Sequence, residues 1–492
     1  MPNDDGTPCE SVARVNAWVL TELTSLNQDI LARRRPPVDL GAELARSVLA
    51  NLMPPECLPV RQAQQMVVLL GLAGASLSRH YQELDPHHRV TPERAFDSYS
   101  VGEAAVPFLD YFRRLAERTG TGHCPRDSYA SLTRWNVPTV EVWWAGTRIA
   151  VLPGMFDDGL VRTYTGTADE RRFFELIKAS EAIEAAVNAA LMPLSDTTLD
   201  ARDPEALDRV RLAAVLLGEL RRLNDDFAAL PPEQSLGADY FMDVFRQYAV
   251  HWTPGDIPPS GALDPEAIAR DCLLGIRTPD YETHTRRIFP ALLDTERELL
   301  TGLMQRPPLP DTALRSLGLD PVTLAGMSAE QLRQTVGRYP VLAALYLLLV
   351  AHARMSGVHL KIARKYLFIP QRRREAAGLG DPGVVSNRLG TTGMDERYLE
   401  ELTRARHQHV LACLRTLPGS DLASLAGLDH MRAAPANLGR LVRFTGPGTG
   451  QDRPVEWLGR PVNHPERRGR IGAGTTAVGT VTITRAGDDG RI

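Results

Sequence analysis

Twelve histidines are the residues of this 492-residue chain best suited to bind a metal or move a proton. His87 and His88 are adjacent in a polar stretch, and neighbouring side chains point apart. His407 and His409 lie two apart on a predicted helix and face different directions. Both pairs read as solvated surface. His352 and His359 are seven apart in a strongly apolar run, near one helical stripe, with Tyr366 a further seven along. A lone imidazole on such a stripe is ordinarily a hydrogen-bonded core residue. It also suits a haem iron, which needs one neutral nitrogen on one side and a dry, open face on the other. Periodicity leaves both readings open.

Other chemistries find less support. No H-E-x-x-H zinc motif and no G-x-S-x-G nucleophile elbow occurs. The run Gly446 to Gly450 lacks the Lys-Ser/Thr of a phosphate loop, and no helical pattern follows it. Gly472-Ala473-Gly474 lacks a strand–turn–helix context. The five cysteines form no C-x-x-C pair, and their odd number fits neither a disulfide framework nor a zinc ribbon. A reducing cytoplasm is the expected compartment.

The elements that must position these side chains are mostly helices. Apolar residues recur at helical spacing over residues 10–31, 37–52, 62–81, 101–118, 169–191, 204–223, 239–250, 265–275, 281–304, 339–368 and 395–416. Alternation over residues 139–151 predicts a hairpin with Ala145-Gly146 at its turn. Residues 254–263 are a Pro/Gly-rich loop, and residues 372–394, ending in Gly390-Thr391-Thr392-Gly393, have the length and composition of a lid. From Ala434 the composition shifts to Gly, Arg, Pro and Thr, which reads as a partly disordered appendage with one strand pair over residues 475–485.

A 43% hydrophobic, 24% charged composition belongs to a globular protein with a sizeable core. A net charge of −4 supplies no field for nucleic acid or an anionic membrane, and the Gln371–Arg374 basic run is short. The acidic N-terminus lacks a signal-like apolar segment. The longest apolar run, Val341 to Ala351, is too short to span a bilayer.

One run decides between the two readings of His359. Residues 358–370, VHLKIARKYLFIP, resemble the proximal-histidine helix of the indoleamine 2,3-dioxygenase family. Downstream, Gly390-Thr391-Thr392-Gly393 resembles that family's lid motif. Upstream, YFMDVFRQYAVHW over residues 240–252 resembles its distal segment, with Phe241 and Arg246 in the places of an aromatic residue and an arginine five positions on. The Ser260-Gly261-Ala262 loop, the Asp271–Ile276 helix end and the run Tyr164–Glu170 also follow the family's order and spacing. Weaker similarity extends to PrnB-type haem enzymes. The resemblance covers residues 18 to 414 and is strongest from Tyr164 onward.

The resemblance implies an all-α fold, with a small helical N-terminal domain (residues 10–160) over a large helical haem-binding domain (residues 161–433) and an irregular tail (residues 434–492). It implies haem b with His359 as the iron ligand, and Ser260 and Gly261 beside the haem and substrate. Phe241 would pack on an indole ring, Arg246 would hold the substrate carboxylate, and Thr391 would cover the pocket. Tyr129, Phe173 and Ile177 complete the implied substrate wall. The implied reaction inserts both atoms of O2 across the indole C2–C3 bond of L-tryptophan or a related indoleamine, giving N-formylkynurenine. Its partners would be the indole amino acid, O2 and an electron donor, with no nucleic acid and no membrane. Deleting the tail after Ala434 would leave activity largely intact.

Several positions depart from the pattern. Ile177 replaces a serine, Met242 replaces a second aromatic residue, and Thr392 replaces a glycine, which should stiffen the lid. Ser356 stands where the family carries an arginine toward a haem propionate, so Arg354 is the expected substitute. These changes keep two alternatives open: a PrnB-like oxygenase acting on a modified tryptophan in secondary metabolism, and a helical ligand-binding protein without catalysis.

Overall fold

A computed structural model of the protein describes residues 9–121, 125–196, 200–381, 383–429 and 441–445. The chain is mostly helical, as its periodicity predicts. Two apolar cores organise it. One is built from residues 12–115, 130–137 and Phe156, together with Tyr164, Phe174, Tyr248 and Trp252, around helix α1 (Val60–Leu84), while the hairpin strands join the other core. The other surrounds three long helices: α2 (Ala168–Asp196), α3 (Pro204–Ala229) and α5 (Pro340–Ala363), with the shorter α4 (Pro265–Leu274) packed on α2.

Local chemistry sets the ends of these helices. Asp264 caps α4: its Oδ1 accepts from the Glu266 N–H at 2.9 Å and the Ala267 N–H at 3.3 Å. Pro265 opens the first turn, and Gly275 closes the helix at φ +90°. Helix α5 runs on without a break to Ala376, and 72% of its most apolar window is buried. It packs along α3, so its apolar surface is covered by protein.

The hairpin is present: β1 (Thr139–Trp144) pairs antiparallel with β2 (Thr147–Leu152). Ala145 and Gly146 lie at φ +49° and +83°, as a two-residue turn matched to strand twist requires. A third strand, β3 (Val442–Thr445), pairs antiparallel with β1, Val442 opposite Val142. The expected boundary at residue 434 therefore cuts through the fold, because Leu441 and Val442 are buried in the larger core. The strand pair expected over residues 475–485 lies outside the described residues.

Helical expectations break at four places: residues 100–107 form a short strand pair ahead of the helix Phe108–Thr119, the last helix stops at Ala405 with a separate turn over Ala412–Thr416, and two more segments are interrupted. Residues 281–304 form two helices, Pro279–Ile288 and Asp294–Gln305, because Pro290 has no N–H to continue the first. Residues 239–250 form only a short helix and two single turns, one of them a wide π-turn over Phe241–Phe245.

Candidate functional site

A cavity of about 400 Å³ opens between α2, α4, α5, the turns over residues 241–248 and the segment 390–394. That volume lies within the roughly 300–1,000 Å³ usual for small-molecule sites. Three wide π-turns contribute to its wall: Ala130–Trp135, Phe241–Phe245 and Arg364–Phe368. Such turns insert an extra residue and re-aim side chains, and they gather at functional sites.

The two candidate histidines on α5 now separate. His352 is a satisfied core residue. Its Nδ1 accepts from Arg270 Nε at 3.1 Å, which leaves the ring proton on Nε2, donated to Asp271 Oδ1 at 2.7 Å. Burial pulls its pKa down to about 4 and keeps the ring neutral. His359 differs. Its imidazole is open to the cavity, and among the described residues neither ring nitrogen has a hydrogen-bond partner. It nevertheless lies deep in the protein. Desolvation, reinforced by the positive charge of Arg406, holds its pKa below the ordinary value. A neutral imidazole facing an open cavity is what an axial ligand requires.

Asp271 fastens α4 to α5. It accepts from His352, from Arg406 through Nε at 3.0 Å and Nη2 at 2.6 Å, and from the Tyr281 hydroxyl at 2.6 Å. Burial alone would raise its pKa, but the Arg406 charge and these hydrogen bonds outweigh it and hold the carboxyl well below the usual range. Arg406 also donates from Nη1 to Ser356 Oγ at 2.7 Å, and it lines the cavity.

This corrects the expectation for Arg354, which is exposed and outside the cavity lining. Five residues turn a helix by roughly 140° net, so Arg354 points away from the His359 face; Ser356, three residues back, stays within about 60° of it. The cation on that face comes from Arg406, at the end of helix α6 (Glu396–Ala405).

The opposite wall is aromatic. Phe173, Ile177, Ser180 and Glu184 line the cavity from one stripe of α2. The Phe173 ring meets Phe241 edge-on at 5.6 Å and Phe245 at 5.2 Å. Phe241 also lies 6.2 Å from the Tyr366 ring. Met242 is fully buried and does not line the cavity, so its difference from the family pattern leaves the wall unchanged. Ile177 is on the lining, and its branched apolar side chain stands where a serine would offer a hydroxyl. Tyr129, Ser260, Gly261 and Thr391 also line the cavity.

Arg246 sits at the cavity edge under residues 383–394. It donates from Nη2 to the Ser386 carbonyl at 2.9 Å and to the Leu389 carbonyl, and from Nη1 to Thr391 Oγ1 at 3.3 Å. Its neighbour Gln247 clasps Val385 through both the backbone N–H at 2.8 Å and the carbonyl at 3.2 Å. Arg287 holds the Thr392 carbonyl. No carboxylate hydrogen-bonds or ion-pairs with Arg246 among the described residues, although the Asp381 charge acts on it, and its Nε is buried without a hydrogen bond. Burial lowers its pKa to about 10, which leaves it charged at neutral pH. A buried guanidinium bonded only to neutral oxygens has unspent capacity for an anion. Thr392 does not sit in the left-handed region; Gly393, at φ +83°, takes that turn. The threonine therefore sits in the segment without backbone strain.

Sequence reading missed Phe245, Glu184, Asp264, Arg270 and Arg406. A signal existed for two of them. Glu184 continues the Phe173–Ile177–Ser180 stripe, and Asp264 precedes Pro265 as a helix cap does. Nothing local marks Arg270 or Arg406, whose partners are distant in the chain.

No family model matches the chain. No curated protein matches it either.

Proposed function

We propose that the protein is a haem-dependent dioxygenase that opens the indole ring of L-tryptophan or a close relative. One observation carries this reading: a single cavity holds an unpartnered neutral imidazole, an aromatic wall and a buried guanidinium whose hydrogen bonds among the described residues go only to neutral oxygens. The residues present fit haem b. His359 would take the iron, and Met355, Leu360 and Ile362 supply apolar wall; Arg406, on the same face, is held by Asp271 and Ser356. Bound haem would supply the iron that activates O2.

The protein's own residues do the rest. Phe173 and Phe241 offer ring edges and faces to a flat indole. Arg246 binds the amino-acid carboxylate and exchanges part of its hold on the Ser386 and Leu389 carbonyls for it. Thr391 and the segment over Arg246 exclude water from the reacting pair. Catalysis is then chiefly the positioning of two reactants in a dry pocket.

The test is a product analysis. Haem-loaded, reduced protein given L-tryptophan and O2 should yield a product that has gained both oxygen atoms and lost the indole C2–C3 bond. Ile177 favours a second reading, in which the same scaffold oxygenates a modified tryptophan whose ring needs no hydroxyl there. Haem binding with L-tryptophan left intact is the result that selects it.

A further inference from the structure

Two arginines from different elements hold consecutive residues of the segment 383–394 where it lines the cavity. Arg246 donates to the Thr391 hydroxyl, and Arg287, from the helix Pro279–Ile288, donates from Nη2 to the Thr392 carbonyl. Both threonines belong to a tight loop. The Gly390 N–H donates to the Met394 carbonyl at 2.7 Å, and the Gly393 N–H to the Gly390 carbonyl at 2.8 Å. A Cβ built on Gly393 would lie 3.6 Å from Arg287 Nη2, so the guanidinium packs against this loop.

Arg287 is an exposed, long side chain, and holding it in one pose costs rotamer entropy. No ion pair among the described residues includes it. What directs it is His284, three residues back on the same helix and on the cavity lining. The same Nη2 donates to His284 Nδ1 at 3.1 Å. A guanidinium has only donors, so Nδ1 must accept and the ring proton sits on Nε2. Nε2 is buried without a partner, which leaves the bond to Arg287 as the only one that fixes the ring. Its face meets the Tyr398 ring of α6 at 5.7 Å.

We infer that His284 is a positioning residue for the segment over the cavity: it aims Arg287 at the Thr392 carbonyl, and does so only while its ring is neutral. A proton on Nδ1 removes the acceptor and sets two positive groups 3.1 Å apart. The surroundings do little to offset that repulsion. Arg287 and Tyr398 face the ring, Asp280 is one turn back on the same helix but exposed to solvent, and Thr392 and Met394 carry no charge. Burial and the Arg287 charge both hold the imidazole's pKa below its ordinary 6.5. The hold on Thr392 is therefore present at neutral pH and is lost in mild acid.

The test is hydrogen exchange of the full-length protein with no haem or substrate added, at pH 8 and pH 5, with rates divided by the intrinsic rate at each pH. Peptides covering residues 383–394 report the segment, and peptides from α3 report the global fold. His284→Asn keeps an acceptor close to the place of Nδ1 and cannot be protonated. His284→Phe keeps a ring against Tyr398 and has no acceptor. In the native protein, protection of residues 383–394 should fall about tenfold or more between pH 8 and pH 5, the scale of one hydrogen bond to a charged group. His284→Asn should hold it within about twofold across that range. His284→Phe should show the low value at both pH values. Protection of α3 should change by less than about twofold in all three.

Segment protection that does not change with pH in the native protein, or a fall in His284→Asn equal to the native one, would overturn the inference. So would a fully protected His284→Phe. If the phenylalanine variant loses α3 protection, the native and asparagine proteins decide the matter between them. The inference does not depend on what the cavity holds, so this result and the haem and product measurements can fail separately.

Discussion

Replacing Asp271 by asparagine should destabilise the protein by about 3–5 kcal/mol, the usual cost of removing one partner from a buried ion pair. Asp271 is 1% exposed, and the Arg406 side chain is 13% exposed, so solvent screens the pair little. Asparagine keeps the shape but turns one oxygen into an NH2 that faces the Arg406 donors. Arg406 would retain Ser356 and little else. The assay is urea unfolding of the full chain, with Arg406→Gln and the double variant completing a cycle. Large single losses with a double variant well short of their sum are expected. The pH dependence has a definite sign. The folded pKa of Asp271 lies below the unfolded value of about 3.9, so its contribution is present above that pH and is lost as pH falls through the lower folded value. The gap between native protein and Asp271→Asn should therefore be constant near neutrality and close only in strong acid. A loss under about 1 kcal/mol, or simple additivity in the cycle, would show that Asp271 does not clamp the helix carrying His359.

Further outcomes are expected elsewhere. Arg246→Ala should raise KM for a carboxylate-bearing substrate by a factor equivalent to about 1.5–3 kcal/mol and make the segment 383–394 more sensitive to protease; unaltered values of both would remove its two roles. His352 is neutral in the folded protein with a pKa of about 4, against an ordinary 6.5, so the unfolded chain takes up its proton first. Stability should fall as pH drops from about 6.5 toward about 4, and His352→Asn should flatten that slope in denaturant titrations; an identical slope would contradict the neutral state of the folded imidazole. A chain ending after Asp429 loses Leu441, Val442 and the pairing of β3 with β1 and should melt lower than one ending after Thr445. Equal melting temperatures for the two truncations would show that the strand contributes nothing.

Much of the helical framework was legible because burial writes a 3.6-residue period into the sequence, and α1, α2, α3 and α5 follow it over many turns. The hairpin was legible because Ala145-Gly146 supplies the turn between alternating strands. The site was harder to read. Phe241, Phe245 and Tyr366 stand on π-turns, where the period that finds helices no longer says which way a side chain points. Periodicity put His352 and His359 on one stripe but could not tell them apart. The difference lies in Asp271 and Arg270, which occupy His352 from another helix and leave His359 bare. Arg354 was chosen by nearness in sequence, while the cation beside Ser356 comes from Arg406, fifty residues on. β3 went unseen because its partner strand lies near residue 140 and a four-residue strand carries almost no local signal.

Haem titration of the native protein and His359→Ala, followed by absorption in the ferrous state with and without O2, bears most directly on the proposed function. The native protein should take up one haem per chain, with a Soret band that shifts on exposure to O2, and the alanine variant should lose that band or bind haem far more weakly. Identical haem content and identical spectra in the two proteins would contradict it.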